Sequence, residues 1–538
     1  MELKKLLEGV EFKKIVGESQ REIAGVAYHT QKVEKGFLFA ALRGAEVDGR
    51  RFVDEALERG AQAILLEEEG SVAEQEPAAA PAKWDQGERL LRSGPGTMIF
   101  VPNSRQALAR VSSNFYGHPS SRVKLVGVTG TNGKTTTTYL LESILKKAGH
   151  PVGVIGTINY RYNQKVLQAP NTTPESLDLQ RILGEMVREG VSHVIMEVSS
   201  HGLDLDRVFG CDFDGAVFTN FTQDHLDYHR TLDHYFTSKK RLFSELLMGS
   251  SKPVRFAVTN GDDPRGERIV DQTPLPVIRY GLSSPAQVSA DQVDFTFEGI
   301  SCRIRTPKGD FPIHSRLIGG FNLYNILAAV ATGIGLDLPL EAIRNGVEAL
   351  EGVSGRFERI ENQRGIHVIV DYAHTPDALE RVLGGIRSVH AEIRRSGKTS
   401  SSSPEAGKII TVFGCGGDRD RTKRPLMAEV VGTQSDLAIL TSDNPRTEDP
   451  LSIMEEAERG FHAIHLDEVR QGETESWRSR KGYLKIADRR EAIRTAIRLA
   501  RPPDTVLIAG KGHEDYQIIG KKRFPFDDRL EAKKALEG

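Results

Sequence analysis

Apolar residues along this chain fall into short runs that end in polar, glycine-rich turns. Stretches of helical periodicity lie between them. In the middle of the chain the runs are "KLVGVT", "VGVIGT", "SHVIMEV", "FDGAVFTN" and "VRFAVTN". Strands of this kind alternating with helices predict a mostly parallel sheet covered on both faces. "NLYNILAAVATGIGL" and "LEAIRNGVEAL" then predict two helices, and the turn-rich "LEGVSGRFERI" closes the block near residue 352. The rhythm resumes in "IHVIVDYAH", "KIITVFGCGGDRD", "DLAILTSDNPR" and "TVLIAGKGHE". Ahead of the central block, "GFLFAAL" and "FVDEALERGAQAILLEE" give shorter strands and helices. Three α/β domains are expected, over 1–122, 123–352 and 353–538. Polar stretches near 70–97, 395–407 and 467–483 read as surface insertions.

Bulk properties narrow the class. A chain of 538 residues is too long for one core. The formal net charge of −2 gives no electrostatic reason to expect nucleic acid or an anionic membrane as partner. Cys211, Cys302 and Cys415 form no C-x-x-C pair, which argues against a disulfide framework and fits a reducing compartment. The start, "MELKKLLEGV", lacks a signal peptide's apolar core, and no apolar run approaches the roughly 18 residues of a membrane span. A cytoplasmic location is expected.

The strongest chemical signal is "VGVTGTNGKTTTTYLLESIL". A strand runs into Gly130, Thr131, Asn132 and Gly133, and Lys134 opens a helix. Glycines let backbone N–H groups approach phosphate, the helix N-terminus adds partial positive charge, and Lys134 adds a full one. Thr135 stands where a hydroxyl ligates Mg²⁺. Position 128 is Val, so the spacing is the shorter G-x-x-G-K-T. A turn without a ligand is the competing reading. "HVIMEVSSHG" ends a strand at Glu197, which suits a carboxylate reaching the metal. His225 and His229 lie four apart and raise zinc, but there is no H-E-x-x-H and the neighbouring ligand set is poor. Lys239 and Lys240 follow on a helix, where a lysine pair is ordinarily a solvated face.

Taken in order, "GTNGKTT", "NTTP", "MEVSSHGL", "FTQDHLDYH", "GGFNLYN", "GRFE", "DYAHTPDAL", "GCGGDRDRTKRP", "DNPRTEDP" and "GKGHEDYQ" resemble the Mur ligases, ATP-dependent amide-forming enzymes of peptidoglycan precursor synthesis. The likeness covers nearly the whole chain. It implies an N-terminal UDP-substrate-binding domain, a central P-loop ATPase domain and a C-terminal Rossmann-like domain. It is nearest to the members that add the third stem-peptide residue to UDP-N-acetylmuramoyl-L-alanyl-D-glutamate. In these a substrate carboxylate takes the γ-phosphate of ATP, and an amine displaces phosphate from the acyl phosphate. A monomer is expected.

The resemblance also implies roles. Gly130 to Thr136 would hold the ATP phosphates. Thr135, Glu197, His225 and a carbamylated Lys239 would serve Mg²⁺, with Lys240 as the competing lysine. Lys134, Lys239 and His225 would be catalytic. Asn322 and Asn325 would meet adenine, Arg356 phosphate and Asp371 ribose. Asn171, Thr172, Thr173, Ser199 and Arg207 would contact the muramyl dipeptide. Arg419, Asp443, Asn444, Pro445, Arg446, Gly510 and Glu514 would choose the amino acid. Arg grips a carboxylate and acids hold an ammonium, which suits meso-diaminopimelate over lysine. Asn caps helices and Asn-Pro favours turns, so each position has a structural reading beside the functional one.

The N-terminal block departs from the pattern. His29, Thr30 and Gln31 stand where the family commonly has Asp-Ser-Arg; Thr30 keeps the hydroxyl, and the uridine contacts there and at 45–47 are in question. Leu205 stands where some members have a polar residue. The alternatives are a lysine-adding muramyl ligase, a folylpolyglutamate synthase, a non-catalytic nucleotide-binding scaffold and a P-loop motor or switch.

Overall fold

The computed structural model describes residues 1–44, 47–67, 96–283, 285–396, 407–469 and 476–538. The insertions read near 70–97 and 395–407 fall almost wholly outside these residues, as do positions 45 and 46.

The central sheet has eight strands. From one edge they are Val277–Tyr280, Phe256–Asn260, Gly215–Phe218, Lys124–Thr129, His193–Glu197, Val152–Ile155, Asn159–Tyr162 and Lys165–Gln168. The first six run parallel, with Ile195 level with both Val126 and Val154. A parallel sheet covered on both faces buries every side chain, so its strands read as unbroken apolar runs rather than alternating ones. On one face, Leu140, Leu141, Ile144 and Leu145 of helix Lys134–Lys147 pack with Leu323, Ile326 and Leu327 of helix Gly320–Gly335 over Val126 and Val128. Each such side chain stabilises by about 1.5–3 kcal/mol. Helix Leu340–Ala349 crosses Lys134–Lys147 at Gly346, where a Cβ would stand 2.3 Å from the Ile144 Cα. On the other face, Leu179, Ile182, Leu183 and Met186 of helix Ser176–Arg188 form a second core.

The N-terminal sheet is smaller, in the order Lys14–Val16, Thr97–Val101, Ala63–Glu67, Phe37–Ala41, Gly25–Ala27, with only the first pairing antiparallel. The C-terminal sheet runs Glu358–Ile360, His367–Asp371, Thr505–Ala509, Ile409–Cys415, Leu437–Ser442, Gly482–Lys485. Its first strand is antiparallel and the rest parallel. The parallel strands therefore present their carboxyl ends, and the turns after them, to one crevice.

Four features depart from the pattern expected of the sequence. The central sheet is extended by an antiparallel hairpin, Asn159–Tyr162 with Lys165–Gln168. A three-stranded antiparallel sheet over Ser289–Phe295, Ile300–Arg305 and Phe311–Ser315 follows it, and Tyr516–Ile519 pairs with Lys522–Pro525. These strands are short and half exposed, so they carry little apolar signal. The stretch 467–483 is not a surface excursion where it is described. Trp477 is 2% exposed and joins a core with Val469, Leu484 and Ile497. Arg478 pairs with buried Asp504 at 2.8 Å. One indole among polar neighbours anchors the segment, because its apolar area outweighs theirs.

Candidate active site

The turn between strand Lys124–Thr129 and helix Lys134–Lys147 depends on glycine. Gly130 has φ 145° and Gly133 φ 85°, both in the region that side chains avoid. A Cβ on Gly130 would lie 1.9 Å from the Thr219 hydroxyl, and one on Gly133 2.3 Å from Asn325 Oδ1. Lys134 Nζ donates to the carbonyls of Gly130 and Thr131, both at 2.8 Å. Lys239 Nζ donates to the same Gly130 oxygen at 2.8 Å and is 1% exposed. Burial holds the Lys239 amine well below its ordinary pKa, and the charge on Lys134 pushes it the same way. Burial also lowers Lys134, against the pull of Glu197 and Asp224. Lys240, one residue on, faces outward and pairs with Asp271. Of the two lysines, Lys239 is the one turned into the phosphate loop.

Glu197 ends its strand buried, and its carboxylate accepts from neutral donors: the Thr135 hydroxyl at 3.1 Å, and the Thr157 amide and hydroxyl at 3.0 and 2.8 Å. A carboxylate beside a threonine hydroxyl at the head of a phosphate loop is a hard oxygen set that fits Mg²⁺. His225, with φ 53°, is held toward the neutral form, near pKa 4, by burial, despite Asp224 beside it.

Lys134, Thr135, Glu197 and His225 line a cavity of roughly 690 Å³, and Lys239 lies behind its wall, against Gly130. Thr131 to Thr136, Thr172, Glu197, Ser199 and His225 come from the central domain; Asn322 and Asn325 stand on its late helix; Arg356 and Asp371 come from the C-terminal domain. Asn325 donates to Asn322 Oδ1 at 2.9 Å, and Asn322 to the Ile318 carbonyl at 2.9 Å, which fixes both amides. Arg356 reaches the Thr135 hydroxyl at 3.4 Å and lies over the Tyr372 ring. Asp371 accepts from the Phe357 and Ala373 amides at 2.6 and 2.7 Å, so one oxygen holds its own turn and the other ties it to the segment of Arg356 and Phe357, while burial raises its pKa.

Thr173 lies just behind the cavity wall. Its hydroxyl bridges the Glu197 carbonyl at 3.0 Å and Ser199 Oγ at 3.2 Å, and Arg207 donates to its carbonyl at 3.0 Å. Asn171 is exposed, and its carbonyl accepts from the Tyr160 hydroxyl. Thr30 is buried in the N-terminal domain within the turn Thr30–Lys32, capped by His29, and is not among the residues lining the cavity.

A second cluster forms at the C-terminal sheet's strand ends. Asn444 donates to Glu514 Oε2 at 2.9 Å, and Gly510 stands with its backbone open toward Asp443. Arg446, with φ 51°, donates to the Gly417 carbonyl at 2.7 Å. Its pKa is lowered by burial first and by neighbouring Arg419 second. Arg419 itself is exposed, and Pro445 is buried. The residue that sequence reasoning missed is Lys511. It is 0% exposed, and its Nζ lies 3.3 Å from Asp443, 3.0 Å from Asn444 Oδ1 and 3.4 Å from Glu514. Its signal was its place between the two glycines of "GKGHE". Tyr372 connects the cluster to the cavity, lining the latter and packing on His513 with ring centroids 4.9 Å apart.

A phosphate loop, a strand-end carboxylate and a cleft shared between two α/β domains define a nucleotide-dependent enzyme. Comparison with known families gives the class. The Mur ligase family, catalytic domain model matches residues 22–116, the Mur ligase middle domain residues 128–333, and the Mur ligase, glutamate ligase domain residues 355–512. The chain belongs to the Mur ligase family, ATP-dependent enzymes that form amide bonds.

Among its relatives is a protein of Geobacter metallireducens named UDP-N-acetylmuramoyl-L-alanyl-D-glutamate–2,6-diaminopimelate ligase. The two are 49% identical over 516 residues, 96% of this chain and 94% of the relative. A solved structure of a ligase with that name is 30% identical, covers 100% of this chain and 99% of its own, and superposes with a TM-score of 0.64. The MurF ligase of Thermotoga maritima in complex with ADP shares the fold at 20% identity, with a TM-score of 0.58 over 95% of this chain and 97% of its own. Among the described residues no helix is long and apolar enough to cross a membrane.

Proposed function

We propose that this protein joins meso-2,6-diaminopimelate to UDP-N-acetylmuramoyl-L-alanyl-D-glutamate at the expense of ATP, in the cytoplasm. The observation that carries the reading is a phosphate-loop cavity with, beyond Tyr372, a cluster of both charges at the C-terminal sheet's strand ends. Two arginines with Asp443 and Glu514 suit an amino acid bearing an ammonium and an extra carboxylate. Lysine lacks that distal carboxylate, so in a site built for it Arg446 would have no ligand carboxylate to meet and lysine would be rejected. The names of the relatives agree with this choice and disfavour the lysine-adding and folate alternatives.

In the proposed reaction the D-glutamyl carboxylate attacks the γ-phosphorus of ATP, ADP leaves, and an acyl phosphate forms. The free amine of diaminopimelate then attacks the acyl carbon, an amide forms, and phosphate departs. A free carboxylate has only oxide to expel, whereas an acyl phosphate expels phosphate. This chain's part is to position the groups and neutralise charge. The amides of residues 130–136 and the Lys134 ammonium receive the phosphates. Asn322 and Asn325, locked to each other and to Ile318, offer a fixed amide edge to the base. Arg356, already directed at Thr135, adds positive charge from the second domain. Thr172 and Ser199 on the cavity wall, with Thr173 and Arg207 behind them and Asn171 on the exposed side, would meet the muramyl dipeptide. Thr135, Glu197 and His225 would hold Mg²⁺, which supplies charge neutralisation on the phosphates when bound. Burial disfavours the ammonium form of Lys239, the neutral amine is the form that reacts with carbon dioxide, and a carbamate there would replace a cation by an anion.

The test is phosphate release by the purified protein with ATP, Mg²⁺ and the muramyl dipeptide, comparing meso-diaminopimelate, L-lysine and no amino acid. Release that needs diaminopimelate, with the tripeptide seen by mass spectrometry, is the expected result. Release with lysine overturns the specificity, and equal release in all three overturns the ligase.

A further inference from the structure

Behind the Lys239 helix, Asp204, His229 and His234 bring one donor atom each to within 4.8 Å of one another. Three short elements deliver them: helix Ser200–Asp204, the turn Leu226–His229, and the first turn of helix Leu232–Arg241. His229 is 1% exposed, and neither of its ring nitrogens has a hydrogen-bond partner. A buried polar atom left unpaired costs about 1–3 kcal/mol, and native structures seldom leave one without a reason.

His234 and Asp204 supply the second half of the argument. His234 Nδ1 stands 3.1 Å from the His229 carbonyl, an acceptor, so the proton sits on Nδ1. Its Nε2 faces Asp204 Oδ1 at 3.0 Å. A proton on Nε2, or a cation in its place, joins the two atoms at that distance. The carboxylate is already oriented by the Tyr228 hydroxyl, 2.8 Å from Oδ2, and by Ser238 Oγ, 3.2 Å from Oδ1. A histidine donating its far nitrogen to a backbone carbonyl, and a carboxylate fixed by hydroxyls, are the outer supports that metal ligands have.

We propose that Asp204, His229 and His234 form a site for a divalent transition-metal ion of the zinc type, separate from the ATP cleft. Two imidazoles and one carboxylate are a zinc donor set, with water in the remaining position. His234 is half exposed and gives the ion its entry. Ligands on a tetrahedral zinc lie ~3.3 Å apart, so binding draws the three groups inward. The ion braces the catalytic helix. The His229 ring packs on Tyr235 at 5.1 Å, Tyr235 Oη is 3.2 Å from Thr131 Oγ, and the Tyr235 ring lies under Lys239 Nζ at 4.5 Å. The sequence spacing of His225 and His229 suggests a pair, but the fold gives His229 different partners.

The test uses the full chain, freed of metal with a chelator and titrated with Co²⁺, then with Zn²⁺. The expected result is one equivalent of Co²⁺ with the intense visible absorption of a low-coordinate site, bleached by Zn²⁺. His225→Ala keeps that absorption, while His234→Ala and Asp204→Asn each weaken Co²⁺ binding by tenfold or more. His234 lies on the open side, so its variant folds even where His229→Ala does not. Zn²⁺ also raises the melting temperature of the parent protein and leaves that of His234→Ala unchanged. No such absorption overturns the proposal. So does absorption that survives both His234→Ala and Asp204→Asn, or that disappears in His225→Ala alone, which would put the ion in the ATP cleft.

Discussion

Lys239 Nζ and Lys134 Nζ donate to the same carbonyl oxygen, that of Gly130, each at 2.8 Å. The carbonyl has a partner without Lys239, and the cost of burying that amine is not repaid by an anion. Lys239→Met should abolish phosphate release, by at least ~100-fold, and leave the fold as stable as before or more so. The folded-state pKa of Lys239 lies below its ordinary 10.5. Between those two values the unfolded chain binds the extra proton, so stability rises with pH. Urea melts between about pH 7 and 10 should show that rise in the parent and a flatter curve in the variant. A variant that melts much earlier, or keeps its activity, would exclude this role.

Carbamate chemistry adds its own pH dependence. Only the neutral amine takes up carbon dioxide, and acid converts Lys239 to the ammonium. Activity of bicarbonate-depleted enzyme should therefore be restored by bicarbonate, with more needed as pH falls. Lys239→Ala should show no restoration at any pH.

Asp377, on helix Pro376–Ser396 of the C-terminal domain, accepts from Asn132 Nδ2 of the phosphate loop at 3.0 Å and from Thr222 Oγ at 2.9 Å. Hydrogen bonds to a charged group are worth about 1.5–3 kcal/mol each. Asp377→Ala should raise the KM for ATP roughly tenfold with little change in melting temperature, because it loosens one domain from the other and empties no core. Small-angle scattering should show a wider distribution of domain separations. An unchanged KM would mean the contact does not serve binding.

Lys511 is the only counter-charge within 3.5 Å of both Asp443 and Glu514 among the described residues. Burial pushes the Asp443 carboxyl up, and Lys511 and Arg489 more than offset it, so its pKa lies below the ordinary 3.8. That stability is present above about pH 4 and is lost as pH falls through the lower folded value. Lys511→Met removes the offset, so burial dominates and the carboxyl moves up. The variant should lose about 3–5 kcal/mol at neutral pH, and its acid unfolding midpoint should shift upward. Circular dichroism against pH reads both effects.

Gly130→Ala sets a Cβ 1.9 Å from the Thr219 hydroxyl at a φ of 145°. Strain and displacement together should cost about 2–4 kcal/mol and remove ATP binding, which thermal melts with and without ADP would show.

Much of this molecule is legible along the chain. Five of the six parallel strands of the central sheet are read because they are buried on both faces, and the burial is written as a run of Val, Ile and Leu; the sixth, Val277–Tyr280 at the edge, is half buried and was not read. The glycines of the phosphate loop are read because left-handed backbone admits few other residues. The antiparallel additions are not read, because strands such as Lys165–Gln168 are mostly exposed and carry no run. Trp477 is misread because one aromatic among charges is a weak local signal, although its buried area is decisive in space. Lys511 is missed because a lysine between glycines has no periodicity to betray it.

The sequence by itself determined the order of the strands along the chain, the loop that receives phosphate and the family to which the chain belongs. These follow from rules of short range: the period of apolar residues, the φ angles that glycine permits, and the spacing of motifs. Only the tertiary structure decided which neighbours those residues keep. It turned Lys239 inward and Lys240 outward, one residue apart on a helix, because a helix rotates about 100° per residue and its packing fixes which face is buried. It spent both oxygens of Asp371 on backbone amides, of Phe357 and Ala373, and it set His229 beside Asp204 and His234 rather than beside His225 alone. Burial, charge pairing and pKa are properties of surroundings assembled from distant segments, and no stretch of the chain states them alone.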